Sequence, residues 1–326
     1  MLLTFYTFIN NYAWIFFVNN QTKLAIIAIV VVITLASIAV SQVNFDSEVS
    51  TTDNSKLQIV TSAGFLYEFS QNIGKEKIDA TLLIPMGVNP HDWEPTIRDT
   101  ERLETSDMII INGLGYENWV DSLDLSNFQG IIVDTSNGIP IDHDEHAKED
   151  DHDGHDHGGQ DPHIWLNPVY AQLQAKNIAN ALSNSDPMNK NYYQTNAEIY
   201  IKELDLLDSK IRNDLSGCRT DFITFHDAFS YFAQEYGLTQ HTIVTSTDPH
   251  GDVTPKTLEK IISTAKKLNI KVIFAEESTS TKTSQVIADE IGGKVLVLSP
   301  LEIVSDEEDY VSKMTQNLDS LKESLC

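Results

Sequence analysis

The chain of 326 residues has few cysteines and few basic side chains. Its two cysteines, Cys218 and Cys326, are too few for a disulfide framework or for a zinc site with four cysteine ligands. Lysine and arginine number 22 against 48 aspartates and glutamates, which gives a formal net charge of −26. Without a basic surplus to neutralise phosphates, this composition argues against a nucleic-acid partner. The 41% hydrophobic content excludes global disorder, and the length allows two domains with their own cores.

Charge is almost absent from the first 45 residues, in which Lys23 is the one charged side chain. Residues 24–40 form an apolar run, and about 20 apolar residues in a helix cross a bilayer. Residues 1–45 therefore predict a cleaved signal peptide or an uncleaved membrane anchor, followed by a polar linker over residues 46–56. We expect the remainder to lie outside the cytoplasm, in a periplasm or at a cell surface, and to be either membrane-anchored or secreted.

Short apolar runs alternate with helical patterns along the rest of the chain. The runs do not alternate cleanly between polar and apolar residues, which is typical of strands buried on both faces of a parallel sheet. The predicted strands form two sets, residues 57–62, 78–84, 107–112 and 131–135, and residues 221–225, 242–245, 272–275 and 295–298. Helical patterns lie between several of them, for example over residues 254–268 and 282–291. The sequence therefore predicts an α/β fold with two mainly parallel sheets flanked by helices.

A long helical pattern separates the two sets of strands. From Tyr193 to Leu215 the apolar residues recur at steps of three and four, and Gly217 ends the pattern. A helix over residues 189–215 is about 40 Å long, which is enough to reach from one lobe to another. The same pattern also fits an ordinary amphipathic surface helix.

Ten histidines fall into two groups. Five lie in residues 142–161, together with nine acidic residues and one lysine, and this composition predicts a loop outside the core with many weak, exchangeable metal sites. The other five are His91, His163, His226, His241 and His250. His91 and His226 each follow a predicted strand, and sites in open α/β sheets form at the carboxyl ends of strands.

Three motifs around these histidines resemble the metal-specific solute-binding proteins of ABC importers, in their zinc/manganese class. The motifs are PHDWEP at residues 90–95, DPHIWLNP at residues 161–168 and FHDAFSYF at residues 225–232. The histidine-rich acidic segment before the second motif is typical of the zinc members. The resemblance covers roughly residues 57–321.

The resemblance implies two α/β lobes joined by one long rigid helix, with a metal site in the cleft between the lobes. The expected divisions are an N-terminal lobe over residues 57–188, a linking helix over residues 189–217 and a C-terminal lobe over residues 218–326. The implied function is to capture Zn²⁺ as a transported ligand and to deliver it to the permease and ATPase subunits of an ABC importer, without catalysis.

The resemblance also implies a ligand set. His91 and His163 are the expected ligands from the first lobe, and His226 is the expected ligand from the second. Similar proteins that take manganese commonly have a glutamate at the position of His226, so histidine there favours Zn²⁺. Asp227 and Glu94 are candidates for carboxylates that fix the imidazole tautomers, or for ordinary surface carboxylates.

The fourth ligand position is left open. Ser299 stands where the family usually has an aspartate, and a neutral hydroxyl is a poor zinc ligand. Zinc is usually four-coordinate, so another donor should fill the position. We rank water first, then the side chain of Glu276, and then His250, with Glu277 a neighbour of the second candidate.

Three other functions remain as alternatives. A manganese- or iron-specific binding protein of the same class is one. A zinc hydrolase is another, since catalytic zinc commonly has three protein ligands and a water. The sequence contains no H-E-x-x-H motif, nucleophile elbow or glycine-rich phosphate loop that would support an enzyme. A surface adhesin has no separate support.

The two cysteines have two possible states. Outside the cytoplasm, Cys218 and Cys326 are able to form a disulfide that ties the end of the chain to the start of the second lobe. Free thiols are the alternative.

Overall fold

The computed structural model describes residues 56–85, 87–88, 90, 93–120, 123, 125–141, 160–244, 246, 253–277, 281–302 and 308–326. The predicted signal or anchor segment, nearly all of the linker, most of the histidine-rich segment, His91 and His250 lie outside these residues. Within the described part of the chain, no helix is both long enough and apolar enough to cross a membrane. Residues 56–326 form one compact unit.

The first lobe is built on a parallel sheet of four strands in the order β2-β1-β3-β4. The strands are β1 (Leu57–Thr61), β2 (Ile78–Leu82), β3 (Met108–Ile111) and β4 (Ile131–Asp134). The central strands β1 and β3 are largely buried, as predicted. The prediction of burial on both faces is wrong for the edge strand β4, where Ile131 and Ile132 are 43% and 45% exposed.

Three α-helices of the first lobe cover this sheet: α1 (Gly64–Gly74), α2 (Ile97–Thr105) and α3 (Pro168–Ser185). The start of α3 is fixed by its sequence, because the side chain of Asn167 accepts a hydrogen bond from the backbone of Val169 and Pro168 occupies the first helical turn. A short 3₁₀ turn, Ile164–Leu166, leads directly into this cap. The DPHIWLNP motif is therefore a turn that enters a helix, held against the sheet.

The predicted long helix is α4 (Lys190–Asp214), which has 25 residues and is about 38 Å long. Its first half packs against the first lobe, where the Asn196 side chain donates a hydrogen bond to the carbonyl of Ile73 over 3.0 Å. Its second half contacts the second lobe, where the Tyr236 hydroxyl donates to Asp208 over 3.0 Å. The helix thus touches both lobes, as expected of a linking element. The exact lobe boundaries at residues 188 and 217 stay predictions.

The second lobe repeats the strand order of the first, as β6-β5-β7-β8. Its strands are β5 (Asp221–Thr224), β6 (Thr239–Thr242), β7 (Val272–Ala275) and β8 (Lys294–Val297), all parallel. Its helices are α5 (Ser230–Tyr236), α6 (Pro255–Lys267), α7 (Thr281–Ile291) and α8 (Tyr310–Leu325). The two-lobed α/β architecture predicted from the sequence is confirmed.

One predicted strand of the second lobe is misplaced. The apolar run at residues 242–245 overlaps the observed strand β6 only at Thr242. After α5 ends at Gly237, with φ at +66°, the chain pairs with β5 at once, through the polar residues Thr239 to Thr242. Ile243 and Val244 are buried and continue the hydrogen bonding, since their N–H groups donate to the carbonyls of Thr224 and Phe225 over 3.1 and 2.7 Å. On this edge strand, the apolar signal therefore marks the buried end of the hydrogen-bonded segment and misses its polar start.

The ends of the second lobe are joined covalently. Cys218 and Cys326 form a disulfide across 108 residues of sequence, so the described cysteines are oxidised. Beside it, the backbone N–H of Arg219 donates to the carbonyl of Leu325 over 3.0 Å. Of the two states left open by the sequence, the disulfide is the one present, and it ties α8 to the segment that leads into β5.

Candidate metal centre

Three side chains meet between the lobes: His163, His226 and Glu302. Each offers a ligand atom within 4.8 Å of the other two. The Nε2 atom of His163 lies 3.2 Å from Oε1 of Glu302 and 3.4 Å from Nε2 of His226. The Nε2 atom of His226 lies 4.0 Å from the same carboxylate oxygen. Both imidazoles are 0% exposed and Glu302 is 4% exposed, so the three groups form a closed cluster.

His163 is held by its own motif. The Asp161 carboxylate accepts a hydrogen bond from the backbone N–H of His163 over 3.0 Å and lies 2.7 Å from the ring nitrogen Nδ1. The side chain of Asn112, at the end of β3, donates to the carbonyl of Pro162 over 2.9 Å. Since Nδ1 faces a carboxylate, the proton of the neutral ring is assigned to Nδ1, and Nε2 is the nitrogen that faces the cluster.

His226 is held in the same way by the second lobe. It lies two residues after the end of β5, and Glu276 directly follows the neighbouring strand β7. One carboxylate oxygen of Glu276 accepts from the backbone N–H of His226 over 3.1 Å and lies 2.6 Å from Nδ1. The strand order reverses between β5 and β7, and this is the place where open α/β sheets form sites.

Glu302 reaches the cluster through a tight turn after β8. The Ser299 hydroxyl accepts a hydrogen bond from the backbone N–H of Leu301 over 3.2 Å. The side chain of Asn317 on α8 accepts a hydrogen bond from the backbone N–H of Ser299 over 2.8 Å and donates one to the carbonyl of Ser299 over 2.7 Å. Leu301 has a φ of +58°, a left-handed conformation that costs a non-glycine residue about 1–2 kcal/mol. The surroundings hold this strained turn, and the next residue is Glu302.

The charges around His163 favour its protonated form in the metal-free protein. Burial alone lowers the pKa of His163, but hydrogen bonds and charges from Asp161, and then from Glu302, together raise it to about 10. An imidazolium therefore lies between two carboxylates. A metal ion that binds to Nε2 must displace this proton.

The donor set fits a zinc ion. Zinc is bound by imidazole nitrogens and carboxylate oxygens at about 2.0–2.2 Å, which places neighbouring ligands of a tetrahedral site about 3.3 Å apart. Two of the three distances in the cluster, 3.2 and 3.4 Å, match this spacing, and the third is 4.0 Å. The cluster supplies three donors, which leaves one position for a further ligand.

The structure separates the roles of the predicted side chains. It brings His163 and His226 together, while His91 lies outside the described residues. Glu276 lies on the Nδ1 side of His226, away from the nitrogen that faces the cluster. The carboxylates that contact the Nδ1 atoms of the two rings are Asp161 and Glu276. They therefore have the tautomer-fixing role for which Asp227 and Glu94 were the candidates.

The remaining candidates have other contacts. Asp227 accepts a hydrogen bond from the Ser230 hydroxyl over 2.6 Å, and His241 pairs with Asp221 over 2.9 Å on the neighbouring strand. Ser299 shapes the turn described above. Sequence reasoning missed Glu302, although one signal was present: a carboxylate soon after a strand end, as for His226 after β5.

Two α/β lobes with an imidazole–carboxylate cluster in the cleft between them define a metal-binding protein of the two-lobed solute-binding class. The family described as "Zinc-uptake complex component A periplasmic" (ZnuA) matches residues 59–324, and the chain belongs to this family.

Named relatives agree with the family. The chain is 40% identical over 281 residues to the "High-affinity zinc uptake system protein ZnuA" of Bacillus subtilis, covering 83% of this chain and 88% of that protein. It is 32% identical over 285 residues to the "Zinc-binding lipoprotein AdcA" of Streptococcus pneumoniae, covering 82% of this chain but only 56% of that longer protein. The solved Zn(II)-bound ZnuA-like domain of Streptococcus pneumoniae AdcA is 29% identical, with a TM-score of 0.71 over 83% of this chain and 99% of that domain.

Proposed function

We propose that this protein captures Zn²⁺ outside the cytoplasm and delivers it to the permease of an ABC importer, whose ATPase subunit drives uptake. The observation that carries the proposal is the pair of buried imidazoles, His163 and His226, whose Nε2 atoms lie 3.4 Å apart beside a carboxylate. The names of the relatives, a zinc uptake protein and a zinc-binding lipoprotein, support zinc as the cargo. Their names also support a location outside the cytoplasm, with the N-terminal segment as either an anchor or a cleaved signal.

The proposed ligands are His91, His163, His226 and Glu302. Glu302 replaces water and Glu276 as the fourth ligand, because its Oε1 lies 3.2 Å from Nε2 of His163. Glu276 instead contacts Nδ1 of His226 and orients that ring. Three neutral imidazoles and one carboxylate leave a Zn²⁺ site at a formal +1, and the carboxylates behind the rings offset this charge.

The closed geometry supports binding without catalysis. A catalytic zinc site keeps an open position for water and substrate. Here both described imidazoles are completely buried, as is Trp165 beside them. Release of the ion therefore requires the two lobes, which carry His163 and His226 respectively, to shift relative to each other. A buried site of this kind suits a carrier better than a hydrolase.

A direct titration tests the metal. Residues 46–326 are purified, stripped of metal and titrated calorimetrically with Zn²⁺ and with Mn²⁺. We expect tight binding of one Zn²⁺ and weak binding of Mn²⁺, because nitrogen ligands suit Zn²⁺ while Mn²⁺ prefers oxygen. Tight Mn²⁺ binding with weak Zn²⁺ binding would overturn the zinc assignment in favour of the manganese or iron alternative.

Variants test which histidines form the tight site. His226→Ala should abolish tight zinc binding, whereas His241→Ala, the same change at a histidine paired with Asp221 on the sheet, should leave it intact. Deletion of residues 142–160 should remove only weaker sites. If the deletion removed the tight site, the histidine-rich segment and not the cleft would hold the cargo. Peptidase or esterase turnover that His163→Ala abolishes would favour the hydrolase.

A further inference from the structure

A hydrogen bond joins the two segments that carry His163 and Glu302. Trp165 lies two residues after His163, and its indole Nε1 donates to the carbonyl of Pro300 over 2.8 Å. Pro300 in turn lies two residues before Glu302. The indole is completely buried and stacks on Phe65 of α1, with ring centroids 4.4 Å apart and planes 15° from parallel. The donor is therefore fixed by the first lobe, and the acceptor belongs to the second.

Tyr310 makes a second connection on the other side of Glu302. Its hydroxyl donates to the carbonyl of Trp165 over 2.6 Å. Its backbone N–H, at the start of α8, faces both carboxylate oxygens of Glu68 on α1, over 3.0 and 2.8 Å. The segment that bears Glu302 is thus attached to the first lobe both before and after that residue.

The turn between these two attachments needs such support. Leu301 adopts a left-handed conformation without being glycine or asparagine, and a strained residue of this kind persists only where its surroundings determine it. The carbonyl of Pro300, which precedes the strained residue, is the atom that Trp165 holds. Loss of that bond would allow the turn to relax and the Glu302 carboxylate to leave the imidazoles.

We propose that Trp165 is a positioning residue for zinc, whose indole N–H holds the Pro300–Leu301 turn so that Glu302 meets the ion bound by His163. This inference rests on the proposed function and on Glu302 as a ligand. Trp165 itself touches no metal. The indole also lies beside the His163 ring, with ring centroids 5.1 Å apart. An effect on zinc binding that depends on the Glu302 carboxylate therefore distinguishes the proposal from a role through His163 or the core.

A double-mutant cycle separates the two roles, since interaction energies appear only between coupled residues. Trp165→Phe keeps an aromatic ring on Phe65 and removes the N–H donor. We expect it to weaken zinc binding about tenfold or more in the otherwise unchanged protein, measured by competition with a chelator. In a Glu302→Gln background, the same change should weaken binding less than threefold.

Equal losses in the two backgrounds would show a purely structural role and overturn the inference. If Glu302→Gln had no effect on zinc binding, the inference would also be overturned, because Trp165 could not act through that carboxylate. Zinc binding by the unchanged protein would then still leave the proposed function intact. If the unchanged protein failed to bind zinc, the proposed function itself would fail.

Tyr310→Phe provides a second variant that keeps the indole, in case Trp165→Phe does not fold. It removes the hydroxyl that donates a hydrogen bond to the Trp165 carbonyl. We expect a smaller loss of zinc affinity than for Trp165→Phe, with the same dependence on Glu302. Tyr193→Phe is the matched control, because the Tyr193 hydroxyl bonds to Asp186 in the turn before α4. Equal effects of the two tyrosine variants would contradict the inference.

Discussion

Each imidazole of the centre works as a two-sided group. One nitrogen faces the cluster, and the other faces a carboxylate, Asp161 for His163 and Glu276 for His226. The carboxylates also accept the backbone N–H of the same histidines. The orientation of each ring and the proton on its Nδ1 are therefore fixed by one carboxylate in each lobe, before any metal binds.

The two glutamates of the centre, Glu302 and Glu276, should respond differently to the same substitution. Glu302→Gln replaces the proposed anionic ligand with a neutral amide, and we expect zinc affinity to fall by a hundredfold or more. Glu276→Gln affects only the orientation of His226, for which losses of about 10–100-fold are typical. Chelator competition measures both, and Glu277→Gln, at the exposed neighbouring residue, is the control. A larger loss for Glu276→Gln would restore Glu276 as the ligand.

Part of this centre was predictable at the residue scale. His163 and His226 were found because their motifs are specific and His226 follows a strand. Glu302 was not predicted, because the family usually has its aspartate at the position of Ser299, three residues earlier. The direction in which the chain leaves Ser299 depends on the left-handed Leu301 and on Asn317 from a distant helix, and neither is visible as local sequence pattern.

At the scale of elements, the start of α8 depends on a side chain from another lobe. Asp309 caps the helix locally by accepting from the backbone of Ser312 over 2.7 Å. Glu68 of α1 adds the contact with the backbone of Tyr310. Burial raises the pKa of Glu68 to about 7, a nearby Asp309 adds to the rise, and the hydrogen bonds from Tyr310 and Tyr200 and the charge of Lys313 oppose it.

This shift makes stability depend on pH. The folded protein keeps the Glu68 proton up to about pH 7, whereas the unfolded chain releases it near the ordinary value of 4.5. The stabilisation is therefore complete below pH 4.5 and is lost as the pH rises through 7. Glu68→Gln should make the fall in the free energy of unfolding less steep between pH 5 and 7, by up to about 1.4 kcal/mol per pH unit.

Urea unfolding of the metal-free protein at several pH values measures this slope. Glu101→Gln, at an exposed carboxylate on α2, is the control and should leave the slope unchanged. An unchanged slope for Glu68→Gln as well would mean that Glu68 titrates in the folded protein as it does in the unfolded chain.

Element type was predictable more reliably than element position. The three helices given bounds from the sequence and the central strands were located within one or two residues, because long periodic segments and buried apolar runs give strong signals. The edge strand β6 begins three residues earlier than predicted, since polar Thr239, Gln240 and His241 already pair with β5 ahead of apolar Ile243. Pairing of an edge strand is decided by the neighbouring strand, which a local pattern does not contain.

At the scale of the whole molecule, both lobes share a core. One apolar cluster includes Phe69 of the first lobe, Tyr200 of α4 and Phe222 of the second lobe. The lobe architecture itself was predictable, because the alternation of strands and helices and the three histidine motifs agree with one known arrangement. The contacts that attach one lobe to the other, such as Trp165 with Pro300, join residues 135 positions apart and left no trace in the sequence pattern.

The disulfide should contribute measurably to stability. Replacing both Cys218 and Cys326 with serine removes a cross-link over 108 residues, and native disulfides typically contribute about 2–4 kcal/mol. We expect the urea midpoint of the double variant to fall to that of the reduced unchanged protein. Dithiothreitol should lower the midpoint of the unchanged protein and have no effect on the double variant. A midpoint insensitive to reduction would show that the bond adds no stability.

The position of this bond also gives the two lobes different chain connectivity before they fold. Cys218 and Cys326 enclose all of β5, β6, β7 and β8, so in an oxidised unfolded chain the last third is a closed ring and the rest is open chain. Inside the ring the ends already meet, which reduces the entropy lost when distant parallel strands pair. The first lobe has no cysteine, so oxidation does not reduce the entropy that it loses on folding. The redox state of the surroundings therefore affects the folding of the second lobe and leaves that of the first lobe unchanged.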